Sequence, residues 1–373
     1  MKSRIVMSAT AMGTLLLVGA AWARNPHCAG GIQYVVQGMT DKGKGNIDDY
    51  KRQMLKATQQ LESCSTEDPN DFEAIGYLGW AYAELDSMGP AGKAFATAIK
   101  GLGDKGDKKK ADLVSTNRES FWVTQFNNSV AKISSGRALY DPYTKKAEND
   151  AETKAKAEAK KAYDDALTDL NKALLLKPGD ARTLRSLGSV YAITGDYATA
   201  EKLFREGLAS APGDSTLTAS LHSVVANRAS QLIEDKKFDE AIAAYTGLIK
   251  TNPSNPELYT GLGDAQFARA NEVKDDARKA AFKSAGDAYA KGGTLRTDSA
   301  DLPFNAALSY QNAGESALAE AQWRESLKRR PKDGEAMSGL ATTLADQKKF
   351  RRPCRWPSGR WRWTRRTRIA IAS

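Results

Sequence analysis

One stretch of the chain repeats apolar and small residues in the order that a pair of antiparallel helices requires. Leu184, Leu187 and Tyr191 recur at intervals of three and four, which places them on one stripe of a first helix. Gly195 interrupts the chain, and Pro212 ends the segment that follows. The second segment carries an inner stripe of its own, formed by Ala200, Phe204 and Gly207. Such a helix pair cannot bury its stripes alone, so the pattern requires neighbouring copies.

Degraded copies of this pattern occur on both sides of it. Pro178 and Pro212 end two successive units and are 34 residues apart. Other copies keep the same order of apolar, small and aromatic positions: Leu78-Gly79-x-x-Tyr82, Phe238-x-x-Ala241, Leu262-Gly263, Tyr310-x-x-x-Gly314 and Leu340-x-x-x-Leu344. These units resemble tetratricopeptide repeats, whose repeating unit is a helix–turn–helix of the same length.

The resemblance implies an all-α fold, a right-handed superhelical solenoid of antiparallel helix–turn–helix repeats. We expect about seven units plus a truncated last one. The predicted boundaries are a leader over 1–23, a divergent first hairpin over 24–69, one repeat over 70–103, a Lys-rich irregular insert and long helix over 104–160, a repeat array over 161–350 and a basic tail over 351–373.

The N-terminus has the pattern of a secretory leader. Two basic residues precede an apolar stretch from Ile5 to Ala21, and small residues at positions 21 and 23 form a cleavage site. We therefore expect cleavage between Ala23 and Arg24 and a periplasmic or secreted mature chain, without stable insertion in the membrane. The alternative is an uncleaved membrane anchor, which the polar residues inside the apolar stretch disfavour.

Export would bring two cysteines into an oxidising compartment, where they can pair. Cys28 lies at the predicted start of the first helix, and Cys64 lies at the end of the second. Because these two ends are adjacent in an antiparallel hairpin, we expect a Cys28–Cys64 disulfide. In the loop-entropy model, closing a loop of this length stabilises the terminal unit by about 3–4 kcal/mol.

Positive charge is concentrated at the two ends of the chain. The whole chain has 55 Lys and Arg against 45 Asp and Glu. Residues 351–373 contain eight arginines and no acidic residue, and residues 1–23 contain two basic residues and no acidic one. Residues 24–350 therefore balance 45 basic against 45 acidic residues, so we expect no nucleic-acid partner for this part of the chain.

The tail departs from the repeat directly after Phe350, where Arg351-Arg352-Pro353 replaces the Asp-Glu-Ala sequence that follows Phe238. One interpretation is a basic and aromatic arm for nucleic acid or anionic lipid. The other is a frameshift, favoured because Arg-Trp codons read from their third base encode the small and apolar residues of the repeat. A frameshift would leave the tail disordered and the last apolar stripe uncovered, which predicts self-association through the C-terminal end.

The sequence offers no pattern typical of a catalytic, metal or cofactor site. The glycine spacing of Gly101-x-Gly103-x-x-Gly106 is that of a dinucleotide-binding loop. Such a loop must follow a strand, however, and these glycines follow a predicted repeat helix. His27 and His222 have no further ligand residues at metal-binding spacing. We therefore expect a protein that is not an enzyme and that holds no metal or cofactor.

In tetratricopeptide arrays the first helices line a concave groove, and the resemblance implies that this groove holds a peptide or partner helix. In repeat register, the partner-binding residues of the groove are Trp80, Glu84, Arg182, Arg185, Ser189, Glu257, Thr260 and Asp264. The two arginines are expected to bind a partner's carboxylate, and Trp80 is the expected apolar anchor. The predicted function is a protein-interaction scaffold of the bacterial cell envelope. The alternative is a structural or self-associating envelope protein without a dedicated peptide ligand.

Overall fold

A computed structural model of the chain describes residues 24–347 together with the short segments 354–355 and 361–362. The helices of this part are α1 (Pro26–Gly43), α2 (Ile47–Glu67), α3 (Phe72–Glu84), α4 (Met88–Asp104), α5 (Lys108–Leu139), α6 (Asp150–Leu176), α7 (Ala181–Thr194), α8 (Tyr197–Ser210), α9 (Ser215–Glu234), α10 (Phe238–Thr251), α11 (Pro256–Glu272), α12 (Asp275–Leu295), α13 (Asp301–Ala313), α14 (Ser316–Arg329) and α15 (Gly334–Asp346). Two two-residue strands, β1 (Cys354–Arg355) and β2 (Trp361–Arg362), pair antiparallel. The predicted leader and most of the predicted tail lie outside the described residues.

The helices pack as consecutive hairpins, which confirms the predicted all-α repeat fold. Contacts join α1 with α2, α3 with α4, α5 with α6, α7 with α8, α11 with α12, and α13 with α14. The hydroxyl of Tyr245 on α10 reaches Ser230 on α9, so these two helices form a further hairpin. One compact unit ends at Leu217 and a second begins at Thr218. In residues 24–347, no helix combines the length and the apolar content needed to cross a bilayer.

Short polar signals set the ends of the helices. The carboxylates of Asp71 and Asp180 accept backbone N–H groups at the starts of α3 and α7, where four donors otherwise have no partner. Gly195 ends α7 with φ of 88°, a left-handed conformation that other residues adopt at a cost. The sequence had placed a break at Gly195, and the structure confirms it.

Several hairpins close where a glycine of one helix faces an aromatic ring of the next. A Cβ atom built on Gly188 would lie 2.6 Å from Cε1 of Phe204, which is closer than two carbon atoms can approach. Such contacts pair α3 with α4, α7 with α8, and α11 with α12; they join Gly79 to Phe95, Gly188 to Phe204 and Gly263 to Tyr289. The missing side chain is what lets each ring lie flat against the neighbouring backbone.

The first hairpin is closed by covalent and ionic links at one end. Cys28, near the start of α1, forms a disulfide with Cys64, near the end of α2, and their Cα atoms are 4.8 Å apart. Arg24 binds the Asp71 carboxylate through two hydrogen bonds of 2.6 and 2.7 Å. The hairpin is therefore tied both within itself and to the start of α3.

The structure differs from the sequence interpretation over residues 104–160. The predicted Lys-rich loop is short, because α5 begins at Lys108 and Asp107 caps it by accepting the Lys110 N–H at 3.1 Å. This 32-residue helix and α6 form a regular hairpin in place of an irregular insert. The reason is a buried stripe on α5 that includes Ala111, Val114 and Trp122. Lysines on the solvent side do not interrupt a helix that buries such a stripe.

Candidate partner-binding surface

First helices of successive hairpins contact one another directly. In the unit that ends at Leu217, α1 contacts α3 and α3 contacts α5; in the other unit, α13 contacts α15. The approach of α3 to α5 is close, since a Cβ atom on Gly76 would lie 2.7 Å from Cγ2 of Val114. Within each unit these first helices therefore lie side by side, and we call them the layer of first helices of that unit. The predicted groove residues all lie on first helices, namely α3, α7 and α11.

Charged side chains gather around one buried indole between α5 and α7. We call Glu119, Trp122, Lys177, Asp180 and Arg182 the α5–α7 cluster. The guanidinium carbon of Arg182 lies 4.3 Å from the centroid of the Trp122 ring, and the Lys177 Nζ lies 4.5 Å from it. Both distances fit cation–π contacts. Glu119 accepts from the Lys177 Nζ at 2.8 Å, and its other oxygen lies 3.7 Å from Nη2 of Arg182.

Hydrogen bonds hold the base of this cluster in place. The indole N–H of Trp122 donates to the hydroxyl of Thr183 at 3.0 Å, in a buried setting. The same hydroxyl donates to Asp180 at 2.8 Å, and Asp180 also accepts the Thr183 N–H. The ring and the start of α7 are therefore fixed, while the Arg182 side chain remains 54 % exposed and Glu119 41 % exposed.

The other two predicted residues of α7 extend this surface by different means. Arg185, one turn after Arg182, has its Nη1 3.8 Å from a carboxylate oxygen of Asp214. Ser189 donates its hydroxyl hydrogen to the carbonyl of Arg185 at 2.9 Å, which satisfies it within its own helix. Arg185 thus adds charge to the surface, whereas the hydroxyl of Ser189 is used within α7.

Glu84, predicted as a groove residue, lies inside the fold. Its side chain is only 7 % exposed, and it accepts from Lys42, from the Tyr50 hydroxyl and from the Trp80 indole N–H at 3.3 Å. Burial and the neighbouring carboxylate raise the pKa of Tyr50. Glu84 therefore ties α1, α2 and α3 together, out of reach of a partner.

Trp80 lies half-buried on α3. Its ring is nearly parallel to that of Tyr77, with centroids 6.1 Å apart. The indole N–H is already used by Glu84, so what Trp80 offers a partner is the exposed part of its apolar ring.

The three predicted residues of α11 belong to the unit that begins at Thr218. Glu257 is exposed and forms an ion pair with Arg296. Thr260 donates its hydroxyl hydrogen to the carbonyl of Pro256 at 3.1 Å. Asp264 accepts from the Tyr289 hydroxyl at 2.6 Å; desolvation by the surrounding protein raises the pKa of Asp264, and this hydrogen bond partly offsets the increase. Two of these three side chains are therefore engaged with other helices of their unit.

The residue types that could bind a metal have other roles in the structure. Cys28, Cys64 and Asp71 lie together, with their candidate ligand atoms within 4.8 Å of one another. The two sulfur atoms are joined in the disulfide, however, and Asp71 binds Arg24. His27 Nδ1 lies 2.8 Å from a carboxylate oxygen of Glu67, so this imidazole has an anionic partner.

Three segments of the chain match the model of a known repeat family. Residues 155–215, 227–292 and 304–351 match the family model described as Tetratricopeptide repeat. No curated protein matches the chain.

Solved structures of low sequence identity share parts of this fold. MamA AMB-1 is 18 % identical, with a TM-score of 0.36 over 58 % of this chain and 97 % of that one. YrrB, described as a TPR protein with an unusual peptide-binding site, is 19 % identical, with a TM-score of 0.33 over 49 % of this chain and 86 % of its own. A thermophilic TPR protein of Thermus thermophilus is 21 % identical, with a TM-score of 0.29 over 46 % and 84 % of the two chains.

Proposed function

We propose that this chain is a non-catalytic scaffold that binds a peptide or a partner helix on its layer of first helices, and the segments that match the tetratricopeptide repeat model support this proposal. The observation that carries the proposal is the direct contact of α1 with α3 and of α3 with α5. This contact makes the faces of separate hairpins into one surface, and repeat arrays use such extended surfaces for binding.

The side chains of this surface suit protein recognition. Arginine and tryptophan are the residue types that most often dominate binding energy at protein interfaces. Arg182 presents a guanidinium group that is half exposed, and Trp80 presents part of its ring. A guanidinium group can bind a carboxylate through two parallel hydrogen bonds, so an acidic group of a partner fits this chemistry.

Site-specific photo-crosslinking tests the surface. We expect a photoreactive residue at position 189 on α7 to capture a defined partner protein from envelope extract. The same residue at position 206 on α8, a second helix, serves as the matched control and is expected to capture none. The double substitution Arg182→Glu and Arg185→Glu should abolish the product from position 189. Equal products from both positions, or crosslinks to the protein itself alone, would favour a structural or self-associating function instead.

We further propose that the protein works in the bacterial cell envelope after export. The leader pattern of residues 1–23 supports this location. The Cys28–Cys64 disulfide also supports it, because disulfides persist in oxidising compartments and are rare in the cytosol.

Mass spectrometry of protein purified from the periplasmic fraction tests the location. We expect an N-terminus at Arg24. Without reductant we expect alkylation of Cys354 alone, and after reduction we expect alkylation of all three cysteines. A chain that keeps residues 1–23 and stays in the membrane pellet would instead support an uncleaved anchor, and full alkylation without reductant would count against the disulfide.

A further inference from the structure

We propose that Glu119 is an internal competitor for an acidic segment of the partner: it occupies Lys177 and Arg182 in the unbound protein, and a segment rich in Glu or Asp displaces it. The inference rests on the proposed function, because it concerns the same layer of first helices. It adds the chemical class of the partner segment and a mechanism that sets its affinity.

The two cations are positioned before any partner arrives. Lys177 and Arg182 both lie against the ring of Trp122, at 4.5 and 4.3 Å from its centroid. Trp122 is buried, and its indole N–H donates a hydrogen bond to the Thr183 hydroxyl, so packing and this bond hold the ring in place. Asp180 lies 3.7 Å from Lys177 and 3.9 Å from Arg182, which keeps a negative charge near both if Glu119 leaves. A ligand that binds here does not have to order these side chains first.

The carboxylate of Glu119 is held much less firmly than the cations. It is 41 % exposed, and it makes one hydrogen bond of normal length, with Lys177. Its second contact, with Arg182, is 3.7 Å long. The Lys177 side chain is 20 % exposed, so this ion pair is partly buried, and a partner's carboxylate can replace the Glu119 oxygen with a hydrogen bond of the same kind. Rotation of the Glu119 side chain alone opens one acceptor position at both cations, while Asp180 stays beside them.

A neighbouring arginine adds positive charge, and one of its nitrogen atoms has no hydrogen-bond acceptor in the described part of the chain. Arg118 precedes Glu119 on α5, and its Nε is buried without a hydrogen-bond partner. Burial lowers the pKa of Arg118, and the charge of Glu119 opposes this effect. Arg185 lies one turn beyond Arg182 on α7. With Asp180 and Asp214 counted, the cationic side chains named around Glu119 outnumber the anionic ones by one, and this excess becomes two when Glu119 turns away. This charge balance favours an acidic segment over a basic one.

The experiment compares three variants of the full-length protein with the unmodified protein, using fluorescein-labelled hexaglutamate as the probe and fluorescence anisotropy as the readout. We expect Glu119→Gln to bind the probe roughly fivefold more tightly, because the internal carboxylate no longer competes or repels. We expect Arg182→Gln to bind roughly fivefold more weakly, because it removes one of the two cations. Added salt should weaken all of these affinities.

Glu148→Gln is the matched control. It removes the same charge from a side chain that is 70 % exposed and paired with Lys145, outside the α5–α7 cluster. It should leave the affinity for hexaglutamate unchanged, and circular dichroism should show that each variant is folded.

The outcomes separate this inference from the proposed function. An equal gain in Glu119→Gln and Glu148→Gln would show a general charge effect and overturn the competitor role. Loss of binding in Arg182→Gln with no gain in Glu119→Gln would also overturn it, while leaving an acidic partner on this surface. If no variant binds hexaglutamate, the acidic class of partner is wrong, and the crosslinking at position 189 still tests the scaffold independently.

Discussion

Replacing Gly92 with alanine is expected to destabilise the unit that contains α4 by about 3 kcal/mol, at the upper end of the usual cost of overpacking. A Cβ atom at this position would lie 2.0 Å from the carbonyl oxygen of Leu175 and 3.2 Å from the Cα of Leu176. Both are backbone atoms of α6, so no side-chain rotation can relieve the clash. The helices must separate, which removes buried contacts between the second helices of two hairpins.

Urea unfolding followed by far-ultraviolet circular dichroism measures this effect. Gly103→Ala is the matched control, because Gly103 lies on the same helix and a Cβ atom there meets no heavy atom within 4 Å. That variant should be as stable as the unmodified protein, or more stable by up to about 1 kcal/mol, since alanine favours helix over glycine. Equal stability of the two variants would show that α4 and α6 are not packed as described.

Removing the disulfide is expected to destabilise the first hairpin by about 3–4 kcal/mol through the entropy of the released loop. Cys28 and Cys64 are 36 residues apart in sequence and join α1 to α2. The double variant Cys28→Ala, Cys64→Ala should therefore lose stability locally, in α1 and α2.

Hydrogen exchange locates this loss. Amides of α1 and α2 should exchange faster in the double variant, while amides of α13 and α14 should keep their protection. Cys354→Ala controls for the loss of a cysteine that does not pair with either of these two. If the amides of α1 and α2 are as well protected in the double variant as in the unmodified protein, then side-chain packing, and not the disulfide, holds the first hairpin together.

Much of the fold could be predicted from the sequence because the repeats obey local rules. The stripe of Leu184, Leu187 and Tyr191 predicted α7, and Gly195 predicted its end. The hairpin of α5 and α6 was harder to predict from the sequence, because the consecutive lysines at its start are typical of a solvent-exposed loop. Asp107 followed by the stripe that begins at Ala111 was the signal for a capped helix there.

The surface could be predicted only in outline. Repeat register predicts Arg182 for this surface, but register cannot show that Glu84 has donors 34 and 42 residues away in the chain. The sequence does not indicate the roles of Glu119 and Lys177, which come from α5 and from the residue after α6 and meet beside one indole. Their sequence neighbours gave no sign of this, because an ion pair across 58 residues depends on how the hairpins stack.

The contact between a glycine and an aromatic ring inside a single hairpin affects how such an array can gain repeats during evolution. Gly188 and Phe204 are both supplied by one hairpin, as are Gly79 and Phe95. A duplicated stretch of gene that encodes one hairpin therefore brings both halves of its own contact. A new unit inserted between old ones therefore keeps its internal packing, whereas contacts between hairpins, such as that of Gly76 with Val114, have to be made again with its new neighbours.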